Sequence, residues 1–90
     1  MDREDFIVAH LYGDWRKAGE SRAIYKNIKG YNVAVMTDRN NPDVWTWVIT
    51  RRGETAGDWS HDKYDSEDTA KRRGLEALAD RLGYSGFVVR

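Results

Sequence analysis

The sequence predicts one α+β domain, α-β-β-β-α in chain order, with an antiparallel meander sheet of three to four strands and the C-terminal helix packed on one face. Three observations predict it. Residues 31–36 alternate with period two, placing Tyr31, Val33 and Val35 on one side and Asn32, Ala34 and Met36 on the other. Residues 44–50 are wholly β-branched or aromatic, VWTWVIT. Ala70, Gly74, Ala77, Leu78 and Leu82 recur at helical spacing behind a Ser66 cap.

In chain order, Asp2 can cap a first helix whose positive end is met by Glu4 and Asp5. Ile7, His10, Leu11 and Asp14/Trp15 keep its period, and Arg16, Lys17 and Gly19 read as its end; Gly13 marks a bend or an earlier stop near Tyr12. Arg22 to Ile28 form a short strand with Ile24, Lys26 and Ile28 on one face, and Lys29-Gly30 turns it into the strand at Tyr31. The turn formers Asp38 to Asp43, including the chain's only proline, Pro42, connect to the strand at Val44. Gly53 suits a hairpin after Arg51-Arg52, and a weaker strand follows from about Thr55 to Tyr64.

Ser66, with Glu67 and Asp68 in the first turn, opens the second helix, and Gly83 closes it in the left-handed conformation. Lys71, Arg72, Glu76 and Asp80 then point outward. The apolar tail Phe87-Val88-Val89 can dock as a further strand or on the helix. Trp45, Trp47 and Ile49 carry the larger apolar area of their strand and are assigned to the helix side, leaving Thr46, Val48 and Thr50 beside Ala34 and Met36 on a mixed second face.

Ninety residues, without repeats or a linker, suit a single domain that buries about 60 to 65% of its unfolded surface. Eleven aromatic residues fill so small a core, each removing about 150 to 250 Å² from water. The chain has no cysteine, which excludes disulfides and thiolate metal sites and suits a reducing cytoplasm. The N-terminal residues 2–5 are not those of a secretory signal, and no apolar run approaches the ~20 residues of a membrane span. Fifteen basic residues balance fifteen acidic ones, so no overall field draws the chain to polyanions.

Helix, three strands, helix, with Trp45-x-Trp47-x-Ile49, Gly53, Gly57, Ser66, Ala70-Lys71 and Ala77-Leu78, resembles the double-stranded RNA-binding domain over roughly Asp5 to Leu82. Pro42, three residues before Trp45, resembles that family's loop between its first two strands. The resemblance implies the fold above and contact with RNA through three regions. Of the consecutive lysines that open the family's closing helix, this chain keeps Lys71 alone and has Glu67 and Asp68 ahead of it. Its loop, Asn40-Asn41-Pro42, has neither the family's glycine nor its histidine, and its first helix matches no family residue. Acids facing phosphates repel them, so the resemblance supports the fold more than the RNA contact.

Ser60-His61-Asp62 holds the residue types of a hydrolase triad, but neighbours on a strand point to opposite faces and cannot relay one proton. Asp58, His61, Asp62 and Asp65 match no calcium-loop spacing, and there is no phosphate-cradling glycine loop. His10 sits on an apolar helix face, where a packed histidine is the ordinary reading. No catalytic residue, metal or cofactor is therefore expected. His61 is the residue an enzyme would use, were the chain one.

The function expected is a small non-catalytic interaction module that binds a protein through Ala34, Met36, Thr46 and Val48 on the second sheet face. Compact domains of this kind are frequent among phage and mobile elements. The alternative is binding of duplex RNA or another nucleic acid through Arg51, Arg52, Lys71 and Arg72, with Trp59 between the two clusters. The ordinary place for Trp59 is the core. A homodimer through an edge strand or the bare sheet face is compatible with each reading, and a membrane partner is not expected.

Overall fold

The computed structural model describes residues 2–17, 19, 23–51, 57–60 and 62–84. The chain builds α1 (Arg3–Leu11), β1 (Arg16–Lys17), β2 (Ile24–Ile28), β3 (Tyr31–Thr37), β4 (Trp45–Arg51), β5 (Asp58–Trp59) and α2 (Glu67–Arg81). The strands form one sheet in the order β1-β2-β3-β4-β5, every neighbouring pair antiparallel. The three long strands are those expected, and two-residue strands extend the meander at both edges. Arg22, Arg52, Gly53, Thr55, His61 and the tail Phe87-Val88-Val89 lie outside the described residues.

Caps and turns follow local chemistry. The Asp2 carboxylate accepts the Asp5 N–H at 2.8 Å, and Ser66 Oγ accepts that of Thr69 at 3.2 Å. Gly83, at φ +86°, closes α2 in a Schellman motif: its own N–H donates to Asp80 O and that of Tyr84 to Ala79 O. Lys29 (φ +50°) and Gly30 (φ +85°) make a two-residue loop with both residues left-handed, joining Ile28 to its cross-strand partner Tyr31.

Both helices lie on one side of the sheet. Phe6 and Ile7 from α1 and Ala70, Leu75, Leu78 and Ala79 from α2 close over Ile28, Val33, Val35, Trp47 and Ile49. Pairing of Val33 with Ile49 and Val35 with Trp47 puts the odd-numbered residues of β3 and β4 under the helices, as the apolar areas predict. Gly74 brings α2 close to the sheet, since a Cβ there would stand 3.2 Å from Trp47 Cβ and 3.3 Å from Val33 Cγ1.

Four expectations change. Arg16, Lys17 and Gly19 do not end α1: the helix stops at Leu11 ahead of Gly13 at φ +84°, and Arg16–Lys17 pairs with Tyr25 and Ile24 as an edge strand. Within the described residues, the weak strand from Thr55 to Tyr64 reduces to Asp58–Trp59 and a bridge from Tyr64 to Trp45. Trp59 is not in the core, because pairing with Val48 turns it to the face away from the helices, where it is 53% exposed. Finally, Leu75 and Ala79 are fully buried and belong to the apolar side of α2, which is covered by α1 as well as by the sheet.

Candidate functional site

The face of the sheet turned from the helices is set by register alone. Cross-strand pairing carries one continuous row over all five strands, Arg16–Tyr25–Ala34–Val48–Trp59. Asn27, Asn32 and Thr50 make a second row, and Met36 with Thr46 a third. Residues directly opposite on one face stand about 4.5 to 5.5 Å apart, so each row is a line of contacts.

Ala34, Met36, Thr46 and Val48 thus share this face. Ala34 (9%) and Val48 (6%) have little surface to offer a partner, whereas Met36 and Thr46 are half-buried. Trp59 supplies the projecting apolar area that sequence reasoning missed. The signal that could have found it was parity: once Ile49 lies under the helices, whatever pairs with Val48 must face away. An open depression of about 450 Å³ beside Trp59 is lined by Met36, Thr37, Asp38, Arg39, Thr46 and the indole itself. Lys63 Nζ approaches Asp38 at 2.8 Å and the Asn40 N–H donates to the same carboxylate, which together hold it below the usual carboxylate range. At the other end Asn27, Gly30, Tyr31, Asn32 and Thr50 line a depression of about 480 Å³.

The described cations of the nucleic-acid alternative, Arg51, Lys71 and Arg72, do not converge. Arg51 pairs with Tyr31 at the β2–β3 turn, the end of the sheet where Lys29 Nζ donates to Tyr84 Oη beyond the C-terminus of α2. Lys71 and Arg72 lie near the opposite end of that helix, Lys71 5.4 Å above the Trp15 ring. At about 1.5 Å per helical residue, the clusters are separated by roughly 15 to 20 Å along the axis. Arg72 bonds both Glu4 oxygens and Arg73 bonds Glu76, contacts that raise both guanidinium pKa values further. Arg52 lies outside the described residues.

Ser60 joins β5 to β4. Its N–H donates to Trp47 O at 2.9 Å and its Oγ accepts the Trp47 N–H at 3.3 Å, so the hydroxyl is engaged in holding strands together. Among the described residues no group of three His, Cys, Asp or Glu side chains could hold a metal ion, and no helix is long and apolar enough to cross a membrane. His10 packs against Phe6 at 4.8 Å between ring centroids, and its Nδ1 is buried without a hydrogen-bond partner. Burial first, then Lys26 and Lys29, lower its pKa from 6.5. No protein family, curated protein or solved structure matches this chain.

Proposed function

We propose that this chain is a small non-catalytic module that binds a protein through the helix-free face of its sheet, working in the cytoplasm. One observation carries the reading. Trp59, 53% exposed, ends a cross-strand row whose other members are Arg16, Tyr25, Ala34 and Val48. An exposed apolar residue by itself is ordinary, and Val8 on α1 and Tyr12 at its C-cap are exposed as well. A tryptophan continuing an apolar row beside an open depression is the arrangement that anchors protein contacts.

The polar groups nearby suit a rim around such an anchor. Arg39 and Asp38, the latter paired with Lys63, border the Trp59 depression, while Asn27, Asn32 and Thr50 offer amide and hydroxyl groups at the other end. A photoreactive phenylalanine analogue at position 59, irradiated in native lysate, is expected to give a protein adduct of discrete mass. The same analogue at Tyr12, on the helical side, is the comparison. Equal or absent labelling at position 59 would sink the proposal.

A further inference from the structure

We infer that the partner on this face is a second copy of the chain, related by a two-fold axis running along β3 between two facing sheets. The inference deepens the interaction-face reading and rests on it. A two-fold contact requires a surface complementary to itself, with residue i meeting j and j meeting i. Rotation about an axis parallel to the strands reverses every cross-strand row and keeps its height along the strand. The five-residue row then meets itself end to end: Arg16 faces Trp59 of the second copy, Tyr25 faces Val48, and Ala34 lies on the axis facing Ala34.

Charge and shape both favour this axis. Arg16 is an exposed cation at one end and Trp59 an exposed π-face at the other, a pairing used twice per dimer. At the centre of the row Ala34 and Val48 are nearly covered within the chain, so the contact rests on Arg16, Tyr25 and Trp59. On the axis, Asn32 meets Asn32 and Met36 meets Met36, one amide pair and one apolar pair. A two-fold axis along the row would instead set Arg16 on Arg16, and like charges facing each other are disfavoured.

Area sets the strength. Strands of two, five, seven, seven and two residues, about 4.8 Å apart and rising roughly 3.4 Å per residue, give a footprint on the order of 400 Å². A stable complex buries about 800 Å² per partner, so this dimer is expected to be a weak one that forms only at high concentration.

Sedimentation equilibrium of the unmodified protein up to about 1 mM tests the inference without any substitution. A monomer–dimer equilibrium is expected, and Arg16→Glu or Trp59→Ala should each raise its Kd about tenfold while leaving the circular dichroism unchanged. Because the chain has no cysteine, Met36→Cys places one thiol beside the axis, and a bis-maleimide spanning about 8 Å should link two copies, given sheets about 10 Å apart. Tyr12→Cys, on the helical side, should not be linked. A monomer at every concentration, or linkage at position 36 no faster than at position 12, overturns the inference. A monomer whose position 59 still captures a different protein removes the second copy and leaves the interaction face standing; with no adduct either, both fall.

Discussion

At position 74 the helix backbone lies so close to the sheet that one added carbon must displace Trp47 or Val33, both central to the core. Alanine favours a helix over glycine by about 1 kcal/mol, but overpacking a tight contact costs about 1 to 3 kcal/mol. Gly74→Ala is therefore expected to lower stability by about 1 kcal/mol in urea, against the sign that propensity alone gives; a more stable protein would show that α2 can shift away. His10 is a different residue-scale case. The unfolded imidazole takes up a proton near pH 6.5, the folded one only at lower pH, because burial and Lys26 and Lys29 oppose its charge. The stabilisation is complete above pH 6.5 and is lost as pH falls through the folded value. In a His61→Gln background, which removes the other histidine, His10→Gln should flatten stability between about pH 7 and pH 5. An unchanged slope would show that the burial does not matter.

Among the elements, those fixed by their own residues were readable in the sequence and those fixed by a partner were not. Alternation in β3, β-branched and aromatic density in β4 and the Ser66 cap of α2 are local signals, and each yields its element. Arg16–Lys17 has no strand signal of its own and becomes β1 only because β2 offers Tyr25 and Ile24 as partners. Trp59 was misplaced for a similar reason, since its face depends on register with β4. The candidate site was half readable: parity within β3 and β4 groups Ala34, Met36, Thr46 and Val48, but not the row that Arg16, Tyr25 and Trp59 complete. The β2–β3 hairpin allows a test of one local signal. Gly30 sits at φ +85° with nothing within 4 Å of a Cβ built there, so its substitution meets conformational strain without a clash. Left-handed backbone costs a non-glycine residue roughly 1 to 2 kcal/mol. Gly30→Ala should lower the urea midpoint accordingly with an unchanged m-value, and an unaffected midpoint would mean that the turn relaxes to another type.

Across the whole molecule, the distribution of charge bears on the choice between the two expected classes of partner. The formal net charge is zero, so duplex RNA meets no long-range attraction, and binding would rest on local cations. Arg51 and Lys71 lie near opposite ends of α2, and the Lys71 ammonium stands over Trp15. Arg72 and Arg73 are held by Glu4 and Glu76. To meet a phosphate, either arginine would have to exchange a carboxylate for it, which gains little, and Glu67 and Asp68 stand at the start of the same helix. Through these residues at most one or two phosphates can then be neutralised, whereas proteins making six to ten such contacts lose about 10³ to 10⁵ in affinity between 50 and 200 mM salt. Titration with duplex RNA, followed residue by residue by NMR, is therefore expected to give no saturable binding near 150 mM salt, and a log–log salt slope shallower than about −2 at lower salt. A steep slope with shifts at both Arg51 and Lys71 would require the two clusters to act on one duplex, and would favour the polyanion over a protein as the partner of this fold.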